Sequence, residues 1–303
     1  MIRKGRPQLL LLMAMAFAMK PLPVRADEAL FGYTTTTDSL PEGKWEYQQW
    51  NTLRDGKAEG TYTALDFRNG VGHGFNSAFQ VEFYLNSTLL HTENVPDPGN
   101  VQQTLGNQTQ FGIDSFSAEA KYRFYSPYKD PFGLSVVFEP ELGVRDPERG
   151  LDQTYQALNF RLIGQKDFSD DQWLLVSNLD MTPKWTVTSG VPQKTYLFEY
   201  LLSGSYRFAP DWFLGLEARN RREFAQQNFG SQTYSAFYIG PTLHYGAQSW
   251  WATLTLLPQI GGSPTGLGID ASGTPVQDSF RTLGKQEKFE ARLKFGINFA
   301  DRP

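Results

Sequence analysis

The chain has 303 residues, no cysteine, a formal net charge of −4, 15% aromatic residues and a mean hydropathy of −0.43. Lack of cysteine excludes a disulfide scaffold, a thiolate metal site and a thiol nucleophile, and the acidic balance leaves no electrostatic footprint for nucleic acid. With 7 Trp, 14 Tyr and 23 Phe the chain is too rich in packing residues for disorder, yet no run of 18 apolar residues exists to cross a bilayer as a helix.

The first 26 residues read as a secretory signal. Arg3, Lys4 and Arg6 form a basic start, Leu9 to Met19 an apolar core, and Val24-Arg25-Ala26 a small-residue cleavage site. Cleavage near Ala26 removes five basic residues and no acid, leaving 23 basic against 32 acidic residues and a net charge of −9. Residues 27–42 then read as a short N-terminal periplasmic segment, and 43–303 as the body of the protein.

Along that body, apolar side chains fall on every second position in about twelve segments, each roughly ten residues long, the period of a strand with one oily face. The early segments lie near 44–54 and 61–69, and a third carries Phe79, Val81, Phe83 and Leu85 against Gln80, Glu82 and Asn86. After 116–125 comes Leu134, Val136, Phe138, Leu142 and Val144 against Ser135, Glu139, Glu141 and Arg145. Segments near 157–166 and 173–185 precede Tyr196, Phe198, Tyr200 and Leu202, which alternate with Glu199, Ser203, Ser205 and Arg207. The last four lie near 212–222, 234–245, 250–260 and 289–299; in the final one Phe289, Leu293, Phe295, Ile297 and Phe299 oppose Glu290, Arg292 and Lys294.

Three features separate a membrane barrel from a soluble sandwich. The connections alternate in length: long near 88–114 and 261–287, short at 126–133, 167–172, 209–211 and 246–249. Outer-membrane barrels segregate their loops in this way. Aromatic residues gather beside the short turns, where an amphipathic ring suits the headgroup boundary. These are Phe124, Tyr125, Phe132, Phe168, Trp173, Tyr206, Phe208, Trp212, Phe213, Tyr245, Trp250 and Trp251. Finally, the polar faces carry charge of both signs. The acids are Asp66, Glu82, Glu119, Glu139, Glu141, Asp180, Glu199, Glu217 and Glu290. The bases are Arg68, Lys121, Arg123, Arg145, Arg161, Arg207, Arg219, Arg221, Arg292 and Lys294. Oily rings outside and charge within place lipid around the barrel and water in its lumen, and a closed sheet is the only strand arrangement that pairs every backbone group at membrane depth. The expectation is an all-β, closed, antiparallel up-and-down transmembrane barrel of about twelve strands, both termini on one side, in the outer membrane of a Gram-negative bacterium.

Little in the sequence speaks for catalysis. His73, His91 and His244 lack metal-ligand spacing, none has a serine two residues away, and no Gly-x-Ser-x-Gly or His-Glu-x-x-His occurs. His244 reads as a hydrogen-bonded wall residue. Glu139 and Glu141 share a strand face about 7 Å apart, a pair fit for acid–base work or cation binding but more simply part of an ionic ladder. Arg219 and Arg221, with Arg222 beside them, suit an anion or the neutralisation of wall acids. No cofactor is expected.

From about Leu30 to Phe299 the chain resembles a bacterial family of unknown function predicted to form outer-membrane barrels. The stretches Phe31-Gly32-Tyr33, Leu40-Pro41-Glu42-Gly43-Lys44-Trp45-Glu46, Glu119-Ala120-Lys121-Tyr122-Arg123-Phe124-Tyr125, Gly215-Leu216-Glu217-Ala218-Arg219-Asn220, Gly240-Pro241 and Trp250-Trp251-Ala252 carry the resemblance. More distantly the layout is similar to twelve-stranded porins and the outer-membrane phospholipase. The resemblance implies a barrel and transfers no activity. The aromatic-ended last strand resembles the signal read by the barrel-assembly machinery, which joins outer-membrane lipids as an expected partner; the tail Ala300-Asp301-Arg302-Pro303 departs from it. Three functions follow: a porin-like passive channel for small polar solutes, a plugged barrel acting through loops 88–114 and 261–287, and a lipid-modifying enzyme, which the histidines support least.

Overall fold

The computed structural model describes residues 29–97, 100–169, 171–188, 190–263, 268–269, 275–276 and 280–300. The signal-like segment and its cleavage site lie outside these residues. Twelve strands close into one antiparallel barrel. They are β1 (Lys44–Asp55), β2 (Thr61–Asn76), β3 (Phe79–Glu93), β4 (Gln108–Tyr125), β5 (Gly133–Arg145), β6 (Asp152–Phe168), β7 (Trp173–Thr188), β8 (Val191–Ala209), β9 (Trp212–Ala225), β10 (Gln232–Gly246), β11 (Trp250–Ser263) and β12 (Phe289–Ala300). Each pairs with its chain neighbours, and β1 closes the ring on β12 from Lys44↔Ala300 to Asp55↔Phe289. The closure leaves no unpaired strand edge in the hydrocarbon layer.

Strands of 12 to 19 residues exceed the roughly 9–11 that a tilted strand needs to span a bilayer. The connections are correspondingly shorter than the sequence pattern implies. β3 and β4 are joined by 94–107 rather than 88–114, and β7 and β8 by 189–190 alone. The hydrogen-bond ladder runs on through Leu89, Phe111 and Ile113, whose side chains extend the outward face toward the connection.

The outward face is oily. Phe83, Phe111, Phe116, Phe138, Leu142, Phe160, Leu214 and Leu293 are all exposed on the wall. Rings cluster at the end bearing the short turns: Trp173 on Tyr206, Trp212 on Tyr245, Tyr245 on Trp250, and Tyr125 on Phe132. Phe124 is exposed beside Tyr122. Two expected girdle members are elsewhere. Trp251 is 1% exposed and points inward, over Gly296, donating its indole N–H to Glu46 at 2.7 Å. Phe213 is also buried inside. Trp250-Trp251 and Trp212-Phe213 are consecutive pairs, so strand geometry turns one ring of each inward.

Phe83 is 64% exposed and lies five residues from the turn at 77–78. Phe83→Arg is expected to cost about 2–4 kcal/mol of barrel stability in lipid, measured by denaturant titration in vesicles. Val176→Thr, an inward change, is the comparison and leaves the lipid contact intact.

Candidate functional site: the charged lumen

The lumen is not empty of backbone. Residues 29–42, the described part of the segment 27–42 expected to lie on the periplasmic side ahead of the barrel, bond to its inner wall. This segment circles the wall near the short-turn end, meeting the strands in descending order. The Ala29 carbonyl accepts from Thr253 of β11. Glu217 of β9 accepts the backbone N–H groups of Gly32, Tyr33 and Thr34 at 2.6, 2.9 and 3.1 Å. Thr34 meets Ser203 of β8, and Thr35 exchanges two hydrogen bonds with the Asn178 amide of β7. Thr37 N–H donates to Gln165 of β6, and its carbonyl accepts from Ser135 of β5. Lys121 of β4 donates to the Asp38 carbonyl, and Leu40 N–H donates to Gln80 of β3 at 2.6 Å. Gly43 N–H then reaches Gly74 of β2 before the chain enters β1.

A hoop of irregular backbone inside a barrel needs partners for every N–H and C=O. The wall supplies them with Gln80, Gln165, Asn178 and Glu217. It also makes room: β2 presents Gly70, Gly72 and Gly74 inward, and a Cβ on Gly74 would overlap the Pro41 and Leu40 carbonyls. Leu30 and Phe31 pack on Val137, Ile163, Leu174, Val176 and Phe213, an apolar patch on an otherwise polar inner face. This explains why Phe213 turns inward. The sequence carries the signal in Trp173-Leu174-Leu175-Val176, an apolar run on both faces where alternation is expected.

The inward charges form a network. Arg68 pairs with Glu139 at 2.5 Å, Arg161 with Asp180 at 2.7 Å and Arg145 with Asp114 at 3.0 Å. Arg219 bridges Glu199 at 2.9 Å and Glu290 at 2.7 Å, and Arg221 reaches Glu199 at 3.2 Å. The arginines of β9 thus neutralise wall acids. Glu139 also accepts from Ser117, whereas Glu141 is held by Ser115 and Tyr155 and not by Arg145. Glu82 accepts from Gln48, Gln80 and Tyr84. Arg123 lies 3.5 Å from Asp38, and Arg207 stands half-buried at the short-turn rim. Asp114 escapes the sequence pattern because a bulge opposite Asn86 and Ser87 turns both Asp114 and Ser115 inward.

Cavities lined by described residues remain inside, two of them in the lumen beside the hoop and the charged wall. The larger, about 360 Å³, is lined by Arg54, Asp66, Arg68, Glu139, Glu199, Arg219 and Arg292 among others. The smaller, about 60 Å³, adjoins the hoop and is lined by Thr34, Asp38, Glu46, Glu82 and Lys294. Trp50 and Glu119 border both. Above the larger cavity, Glu287 between β11 and β12 binds Lys57 at 3.0 Å and Arg54 at 3.1 Å. Burial alone would raise its carboxyl, but Lys57 and Arg54 outweigh this and hold it at about 2.

The histidines do not converge. His244 is enclosed in the wall, bonded to Thr253 at 2.7 Å and packed between Phe213 and Trp251. His73 stacks on Trp45, and His91 lies at an exposed position beside Glu93. Among the described residues no group of three His, Cys, Asp or Glu side chains could hold a metal ion.

Comparison with known proteins agrees with this geometry. Residues 23–299 match a family model described as "Family of unknown function (DUF6662)". The chain belongs to that family. No curated protein matches it in sequence. Among solved structures, the barrel is similar to the COG4313 outer membrane channel from Pseudomonas putida F1, with a TM-score of 0.57 at 12% identity, covering 87% of this chain and 98% of that one. The KdgM porin aligns with a TM-score of 0.43 at 14% identity, covering 84% and 99%, and the NanC porin with 0.47 at 10%, covering 84% and 100%. The DUF6662 chain therefore has the fold of an outer-membrane channel, a closed twelve-stranded barrel.

Two outcomes follow. Glu217→Ala leaves three buried N–H groups without their shared acceptor, each such charge-assisted bond being worth roughly 1.5–3 kcal/mol. Amide exchange at Gly32, Tyr33 and Thr34 should accelerate by tenfold or more on the order of, while the barrel amides stay protected. For Glu287, a carboxyl held below its unfolded value stabilises the loop above the ordinary carboxylate range, and that contribution is lost as pH falls toward 2. Protection of the 281–288 amides, taken relative to their intrinsic exchange rate at each pH, should fall over that interval and stay constant between pH 6 and 8.

Proposed function

We propose that this protein is an outer-membrane conduit for the passive passage of small polar solutes, narrowed by its own N-terminal segment. The observation that carries this reading is the path of the hoop. It follows the wall from β11 round to β2 instead of crossing the lumen, and cavities lined by polar side chains persist on either side of Trp50 and Glu119. A polar interior inside an oily wall is the arrangement of water-filled barrels. Outer-membrane lipid surrounds the barrel, and the assembly machinery of that membrane inserts it after export. His244 meets the Thr253 hydroxyl, but both are fully buried in the wall and that hydroxyl donates to the Ala29 carbonyl, which favours a transport role over catalysis.

The density of contacts between hoop and wall favours a second reading, a barrel closed at rest that works through its loops. Planar-bilayer recording separates the two. The conduit reading expects small single-channel conductance from the whole protein and a severalfold increase when residues 29–40 are deleted. Absence of current in both proteins would leave the closed barrel standing.

A further inference from the structure

Most charges inside the barrel meet an opposite charge; among the described residues that do not, two groups of opposite sign stand on separate strands. Lys294 of β12 is 2% exposed, and its ammonium sits 3.9 Å from the centre of the Trp50 ring. Among the described residues it has no carboxylate within ion-pair distance. Arg292, two residues earlier on the same face, donates to Thr52 at 2.8 Å and to the Gly32 carbonyl at 3.2 Å, and lies 3.8 Å over the Tyr33 ring. It too has no carboxylate partner there. Three acids of the inner wall are engaged elsewhere: Glu46 by Trp251, Glu217 by the hoop and Glu290 by Arg219.

On β3 and β4 the imbalance has the opposite sign. Glu82 and Glu119 stand directly across from each other in the register, a placement that like charges disfavour. Glu82 is held only by neutral donors. Glu119 is 6% exposed and makes no hydrogen bond or ion pair among the described residues. These groups share the same spaces. Lys294, Glu82 and Glu119 line the smaller cavity, and Arg292 and Glu119 line the larger one.

A buried charge without a counter-charge is costly, and a partner arriving from solution relieves that cost. A cation alone would satisfy one group and an anion alone the other. A molecule bearing both signs satisfies both, and complementarity of this kind discriminates among solutes of equal size. We propose that the unpaired bases of β12 and the unpaired acids of β3 and β4 form a dipolar passage that prefers zwitterionic solutes, small molecules carrying an ammonium and a carboxylate. This rests on the conduit reading and adds its substrate class.

The test compares two isomers, zwitterionic glycine and neutral glycolamide, in efflux from liposomes containing the full barrel. Glycine is expected to leave roughly fivefold faster. The ratio should fall to unity in Arg292→Gln/Lys294→Met and in Glu119→Gln, with folding of each variant checked by its heat-modifiable gel mobility. Glu119→Gln keeps the side-chain shape, so it serves if the double variant does not assemble. Equal efflux of the two isomers from the unaltered protein overturns the zwitterion preference while leaving the conduit intact. So does a preference that survives both substitutions. If neither isomer crosses, the conduit reading fails and this inference fails with it.

Discussion

Every backbone N–H and C=O at membrane depth must find a partner within the protein, and this requirement organises the whole molecule. For the wall it is met by closing β1 on β12, after which no ladder edge faces lipid. Closure then assigns the two strand faces to different solvents. The rings that stack between neighbouring strands at the short-turn end face outward, while arginines and carboxylates face inward. Much of the inward charge is arranged in pairs, which offsets the cost of holding those ions away from bulk water.

The same requirement governs the hoop, although with different means. Its backbone has no neighbouring strand to pair with, so side chains take over the task. Glu217 serves three consecutive N–H groups, and Gln80, Gln165 and Asn178 serve others further round the ring. Lumen amides and glycines that look unremarkable strand by strand are thus explained by one short segment. The hoop occupies part of the interior that strand number and tilt otherwise define. Likeness to a known outer-membrane channel extends over nearly the whole barrel at only 12% identity. The barrel fold is thus shared at low sequence identity.

Much of this was legible in the residues themselves. Alternation at period two is a local property, so the existence and approximate number of strands and their oily faces follow from it directly, while the closed fold was read from loop lengths, aromatic placement and inward charge of both signs. Leu142 and Phe83 are on the lipid side for no reason beyond parity. Parity also ran out at identifiable places. It could not choose between Trp250 and Trp251, or between Trp212 and Phe213, since adjacent rings compete for one outward position. It could not place Asp114, because a bulge changes the count.

The sequence alone determined the wall, because a strand's two faces are written in consecutive residues and need no distant information. Only the tertiary structure decided what fills the lumen. The contacts of the hoop join Gly32 to Glu217 and Leu40 to Gln80, separations of 185 and 40 residues. Partnerships that long are set by the curvature of the closed sheet, which brings strands from all along the chain around one axis. Which charges pair there and which, like Lys294 and Glu119 among the described residues, do not, depends on that closure and on no local pattern.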